Sequence, residues 1–436
     1  MALSSSRFQR RLILCGMYFA QGVPWGFMTV ALIAYLADNG VGDQELGRLT
    51  GLVLLPWTFK LIWAPLIDTM TVRSMGRRRA WIIGAEILMG LSLLWLLGMG
   101  DLTDDLRTLG WMFFIHNCFV SLQDVATDAL AVDILPANEQ GQMNGLMWGA
   151  KLIGKAVGAG GMAVVMDAWG ISAAVLFQFV ILTLIMLLPL LLLERPGEKR
   201  FPWSAGSANV EGTASDFRSP VVVLLDLLKA FSLVTTLVFF VYGTIKHIGW
   251  GIVEVVTKTL YTQQLGWTFV EVSTVTSYAV PIELLGAVAG GYLADRCGAR
   301  IVLVVGLGLY GTMALVFGAS PFLWDQTWFS GGYLLLNPGV LAMGSVGFLA
   351  LAMRVSWTNS RATVFTIYMT ISNIGHVIGN YLAGPLRAEL PYAQTMMVAG
   401  CCTITPLILL LVVWPSTVDT ARGRDGVALK SETVES

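Results

Sequence analysis

Asp124 and Asp128 stand four residues apart in the run Ser121-Leu-Gln-Asp-Val-Ala-Thr-Asp128-Ala, inside an otherwise apolar stretch. The next apolar stretch carries Lys151 and Lys155 at the same spacing. Residues i and i+4 share a helix face, so each pair points one way. A charge near a bilayer centre costs about 2.5–3.5 kcal/mol on insertion scales, so four on adjacent segments need a reason. Two chemistries fit. One is a buried salt-bridge lock; the other is a carboxylate that gains and loses a proton while its lysine alternates between it and a solute. Desolvation and a neighbouring cation act on a carboxyl in opposite directions, so its protonation can follow the opening of a cavity. Counted from the turn near 134–141, Asp124 and Lys151 lie level and Lys155 slightly farther out. Asp124 or Asp128 is therefore the expected proton site. Lys151 and Lys155 are the expected counter-charges or anion contacts.

Composition says what holds these residues. Of 436 residues, 56% are hydrophobic and 13% charged, against about 25% charged in a soluble domain. Only a multi-span membrane protein keeps so large an apolar share in a suitable solvent. A net charge of −1 gives no reason for a nucleic-acid partner. Cys15, Cys118, Cys297, Cys401 and Cys402 fall in or near apolar stretches without metal-ligand spacing. With no P-loop and no nucleophile elbow either, neither cofactor, metal nor catalytic residues are expected, and the chain does not read as an enzyme.

Stretches long enough to cross about 30 Å of hydrocarbon fall at 12–37, 46–67, 81–99, 109–132, 142–166 and 171–193. Six more fall at 229–260, 268–294, 300–319, 331–353, 362–385 and 393–414. The expected fold is an all-α membrane protein of twelve transmembrane helices in two pseudo-symmetric six-helix bundles. Residues 1–193 form the first bundle, 194–228 a cytoplasmic central loop, 229–414 the second bundle and 415–436 a disordered cytoplasmic tail. Eighteen lysines and arginines fall at the termini and even-numbered connections and three on the other side. That bias predicts cytoplasmic termini, and the first apolar run, without an obvious signal-peptidase site, reads as a retained first helix.

The halves echo each other. Ala64-Pro-Leu-Ile-Asp68 precedes Gly76-Arg77-Arg78-Arg79, and Gly291-Tyr-Leu-Ala-Asp295-Arg296 precedes Gly298-Ala-Arg300. One reading is a positive-inside anchor; the other is a duplicated hinge in which aspartate and arginine hold neighbouring helix ends together. Repeated halves are what rocking around a midplane site requires. Residues 291–300 resemble the short-loop signature of the major facilitator superfamily, with a weaker copy at 68–79. Gln21-Gly-Val-Pro24, Phe59-Lys60-Leu-Ile-Trp63-Ala-Pro65-Leu-Ile-Asp68, Gln123-Asp124-x3-Asp128-Ala-x3-Asp133-x-Leu-Pro136 and Glu139-x-Gly141 resemble the AmpG-type permeases. That group includes acetyl-CoA transporters and siderophore importers of the RhtX/FptX type. The resemblance covers residues 15–160 and implies the superfamily fold, import and a muropeptide cargo.

Further polar residues line a path. Gln21, Pro24 and Trp25 sit in the middle of the first span, where proline frees a carbonyl and an aromatic ring can stack on cargo. Gln123 adjoins Asp124. Lys246 and His247 interrupt the seventh span among glycines, and Glu283 lies beside Pro281 at a depth where Lys246 can pair with it. Glu254 and Lys258 read as rim residues. Asn373, His376 and Asn380 share one face of the eleventh span. Lys60 is near enough to the membrane edge to snorkel.

The reading is a secondary active transporter, proton-coupled, of the bacterial inner membrane. It moves a muropeptide-like polar solute by alternating access, and works as a monomer with a small-molecule substrate, protons and lipid as partners. A siderophore or acyl-CoA-like anion is the alternative cargo. A membrane enzyme or sensor on the same scaffold is the alternative class.

Overall fold

A computed structural model of the chain describes residues 3, 6–70, 75–201, 203–204, 220–358 and 361–424. Most of the central loop (205–219), the end of the tail (425–436) and the side chain of Asp68 lie outside the described residues.

The described chain is helical, and its helices assemble into twelve spans: Arg7–Asp38, 43–69, Arg79–Gly98, Leu106–Ile134, 137–169 and 171–191 in the first half. The second half contributes Val234–Gln264, Phe269–Cys297, Ala299–Ala319, Thr327–Val355, Arg361–Glu389 and Tyr392–Leu411. They are numbered spans 1–12. Eight stretches are long and apolar enough to cross a membrane, one of them being spans 5 and 6 run together through Gly170. Gly170 turns the chain at φ +80°, which an L side chain resists. Spans 2, 4 and 11 are not among the eight. They carry Lys60, Asp124 with Asp128, and Asn373 with His376 and Asn380, so the polar residues themselves dilute the apolar signal.

Both described ends lie on one side. Leu3 donates from its backbone to the Leu193 carbonyl after span 6, and Thr417 pairs with Thr235 at the start of span 7. We call this the terminal end and the opposite one the far end. Residues 415–424, expected to be disordered, instead form the helix Pro415–Arg424. Val418 on it is fully buried and Arg354 holds Asp419 at 3.3 Å, so docking on the second half orders it.

The halves share one architecture. A Cβ on Gly22 (span 1) would lie 2.2 Å from the Lys151 carbonyl, and one on Gly158 (span 5) 1.9 Å from the Val23 carbonyl. The second half repeats this with Gly251 against the His376 carbonyl at 2.3 Å and Gly375 against the Thr244 carbonyl at 1.9 Å. Spans 1 and 5, and spans 7 and 11, thus meet backbone to backbone. π-Helical turns at Phe27–Ala31, Val157–Gly161 and Leu260–Gln264 interrupt three of these four helices, a departure that favours functional sites.

The apolar cores show how the halves meet. One core at the far end mixes both halves, joining Leu36, Leu46, Phe113 and Met162 to Val256, Phe269, Phe317 and Ala383. At the terminal end each half keeps its own: Leu14, Ile82, Leu130 and Met147 in the first, Phe239, Leu307, Phe348 and Tyr368 in the second. Among the described residues the apolar core is shared at the far end and divided between the halves at the terminal end.

Candidate functional site

The first-half site is built on span 4, anchored by Asp105 accepting the Thr108 N–H at its start. Asp124 projects from its middle with a side chain 3% exposed. Its Oδ2 accepts from Lys60 Nζ at 2.5 Å and its Oδ1 from Lys151 Nζ at 3.4 Å. Lys60 reaches it because span 2 tightens into a 3₁₀ turn, Leu55–Phe59, containing Pro56. Ser121 donates to the Pro56 carbonyl at 3.1 Å and accepts from Trp63 Nε1 at 2.9 Å, tying spans 2 and 4 beside the ion pairs. The Lys151 ammonium sits among rings, 4.5 Å from the centre of Trp57, 5.1 Å from Trp25 and 5.5 Å from Tyr18. Such contacts contribute about 0.5–2 kcal/mol each.

Asp128, one turn toward the terminal end, accepts from the Tyr18 hydroxyl. Among the described residues no lysine or arginine is within ion-pair reach of it. Behind the pair, Gln21 donates to Gln123 at 2.6 Å, and Gln123 donates to Glu86 at 2.9 Å and to the Met17 carbonyl at 3.3 Å. Spans 1, 3 and 4 are thereby linked through one buried amide.

The second-half site uses the break in span 7. Lys246 and His247 separate the helices Val234–Ile245 and Ile248–Thr259. Lys246 Nζ lies 2.5 Å from His247 Nε2 and 3.9 Å above the Phe348 ring, while His247 Nδ1 meets Ser372 at 2.9 Å. Trp250 stacks on His376 at 3.9 Å, and His376 Nε2 lies 2.6 Å from Glu254 Oε2. Asn373 is half-buried; Asn380 is fully buried.

Between the two sites Lys155 pairs with Glu283 across the halves at 2.8 Å. Farther out the join closes. Ser277 donates to the Ala156 carbonyl at 3.0 Å and accepts from the Gly160 N–H at 2.7 Å. Gln263 donates to the Ala37 and Val41 carbonyls, each at 2.9 Å. Asp43 accepts from Thr259 at 2.5 Å and from Arg387 at 3.2 Å. At the terminal end ion pairs among the described residues join partners of one half: Arg10–Glu139 at 2.9 Å, Arg78–Asp133 at 2.9 Å and Arg354–Asp419 at 3.3 Å.

Several expectations need correcting. Lys246 does not pair with Glu283, because the break in span 7 turns it onto His247. Lys155 is no counter-charge of the aspartates. A four-residue step advances a helix by a turn and about 40°, and that rotation aims Lys155 at the other half. Glu254 and Lys258 are not rim residues: Glu254 reaches His376, and Lys258 is 6% exposed. Lys60, near enough to the membrane edge to snorkel, instead turns inward and is the closer partner of Asp124.

The two basic loops make different contacts, and the Asp68 side of the hinge reading lies outside the described residues. Arg77 and Arg78 face Asp133 at 4.0 and 2.9 Å, and Arg79 donates to carbonyls including Lys199 and Arg200 at 2.9 and 2.8 Å. Glu194, which no motif marks, accepts the backbone N–H groups of Arg77, Arg78 and Arg79 at the start of span 3. In the second half Arg296 packs on Tyr292 at 4.2 Å and Arg300 on Trp414 at 4.4 Å. Asp295 is exposed and makes no ion pair among the described residues. Arginine–aromatic packing there replaces arginine–carboxylate pairing.

Comparison with known proteins sets this geometry in context. A family profile described as Major Facilitator Superfamily matches residues 14–380. The anhydromuropeptide permease of Escherichia coli is 26% identical over 432 residues, covering 95% of this chain and 82% of that protein. Among solved structures, the nucleoside transporter NupG aligns with a TM-score of 0.71 at 11% identity, covering 93% of this chain and 100% of that one. A D-xylose-proton symporter aligns at 0.69 and 13% identity, covering 94% and 98%.

Proposed function

The chain belongs to the major facilitator superfamily, and from that premise we propose that it carries a muropeptide-like sugar-peptide across the bacterial inner membrane, coupled to protons. It is a secondary transporter, and its two halves bear facing polar sites. The observation that carries alternating access is the division of the apolar cores: one shared at the far end, two separate at the terminal end. We place the terminal end in the cytoplasm, as the arginine bias favours, so the conformation faces inward.

The roles follow from what each group touches. Asp124 is fixed between two lysines and anchors spans 2, 4 and 5. Asp128 stands one turn from the Asp124 carboxylate and, among the described residues, only the Tyr18 hydroxyl reaches its carboxyl, so it is the carboxyl that takes up and releases the proton. Trp25, Trp57 and Trp250 offer flat faces to sugar rings on both sides of the join. The similarity to an anhydromuropeptide permease along 95% of the chain supports the cargo class.

The test is uptake of an anhydromuropeptide into proteoliposomes. One unit of imposed pH gradient supports at most about tenfold accumulation per proton, since a pH unit is 1.36 kcal/mol. Asp128→Asn is expected to abolish gradient-driven accumulation while solute exchange between equal pools continues. Accumulation by Asp128→Asn equal to that of the unaltered protein would remove Asp128 as the proton carrier. Failure of the unaltered protein to exchange the probe would remove the cargo.

A further inference from the structure

Four charges neighbour one another where the halves join: Lys155 from span 5, Glu254 and Lys258 from span 7, and Glu283 from span 8. Their contacts leave one ammonium outside ion-pair distance. Lys155 has Glu283 at 2.8 Å and Glu254 has His376 at 2.6 Å. Lys258 is 6% exposed and its ammonium, among the described residues, has neither an ion pair nor a hydrogen bond. The charges that act on it are Glu254 and Lys155. An ammonium with no carboxylate in contact is costly inside a membrane bundle and marks a functional site.

We propose that Lys155 and Lys258, one from each half, seat a carboxylate of the cargo, and that Glu283 stands in for that carboxylate while the protein is empty. The Lys155 and Glu283 side chains keep 19% and 18% of their surface exposed, so the pair is not sealed off. An arriving carboxylate exchanges one lysine–carboxylate contact for another and gains the unused Lys258. The exchange is close to balanced in energy, which suits a carrier that must also let go. A seat with a cation on each half also closes the halves around the bound solute. This inference rests on the sugar-peptide reading, whose peptide part supplies carboxylates.

The test is binding to the full-length purified protein, followed by calorimetry with two probe pairs. The first pair is an anhydromuropeptide with a free terminal carboxylate and the same compound as its carboxamide. The second, lacking sugar, is N-acetylglycine and N-acetylglycinamide at millimolar concentration. The acid is expected to bind more tightly than the amide in each pair. Glu283→Gln removes the internal competitor and is expected to tighten the acid about tenfold, the equivalent of about 1.4 kcal/mol, without changing the amide. Lys258→Gln is expected to erase the preference, as is Lys155→Gln, and because Lys258 has no partner to lose, its variant keeps the test readable if Lys155→Gln fails to fold. A preference in the sugarless pair alone would overturn the cargo reading and keep the seat. Equal binding of acid and amide in both pairs, or an unchanged preference in Lys258→Gln, would overturn the seat.

Discussion

Asp124→Asn is expected to destabilise the purified protein by about 3–5 kcal/mol, the range for breaking a buried ion pair by deleting one partner, and to abolish uptake. The asparagine keeps the shape but leaves the amines of Lys60 and Lys151 facing a neutral amide. Lys151, with a side chain 5% exposed, bears most of that cost; Lys60, at 29%, is partly relieved by solvent. The measurement is thermal and denaturant unfolding in one detergent. Asp124→Asn/Lys151→Gln should recover a share of the loss, since the two residues act as one unit. An unchanged midpoint in the single variant would mean that the pairs contribute nothing to holding spans 2, 4 and 5.

The backbone contact between spans 1 and 5 is as sensitive. Gly158→Val places a branched side chain where a Cβ alone would stand 1.9 Å from the Val23 carbonyl. The helices must separate, at a cost of about 3 kcal/mol or more for overpacking, and most protein is expected to run as aggregate on size exclusion. Gly149 supplies the control on the same span, where an added Cβ meets nothing within 4 Å. Gly149→Ala is expected to raise stability by up to about 1 kcal/mol through helix propensity. Equal behaviour of the two variants would contradict the close-packed seam.

How much of this was legible follows from what periodicity encodes. Hydrophobic stretches place each span within a few residues of its helix, because crossing the bilayer sets the length and the need to satisfy the backbone sets the type. Charged residues inside those stretches mark the site: Asp124, Lys151, Lys155, Lys246, Glu283 and His376 all lie at or near the join or in the polar cluster beside it. Their partners were not legible. Spacing gives the face and depth of a residue on its own helix, not the rotation of the helix opposite. Hence Lys155 was assigned to its sequence neighbours and met Glu283 instead. Lys60 is hidden by a 3₁₀ turn that swings it inward. Depth along span 7 does not reveal that Glu254 and Lys258 are covered: Glu254 meets His376 of span 11, and Lys258 is buried. Glu194 carries no motif, since its partners are three backbone N–H groups.

The central claim is that two halves rock about the charged join, so that opening one end closes the other. Paired spin labels in a cysteine-free background test it directly, with Asn39 and Gln264 labelled at the far end and Val132 and Met353 at the terminal end. All four residues are exposed. Without ligand, the far-end distance is expected to be short and single. Removing the far-end contacts with Asp43→Asn and Gln263→Ala together is expected to lengthen it while shortening the terminal-end distance in the same sample. A far end that opens while the terminal end keeps its distance would contradict alternating access in this chain.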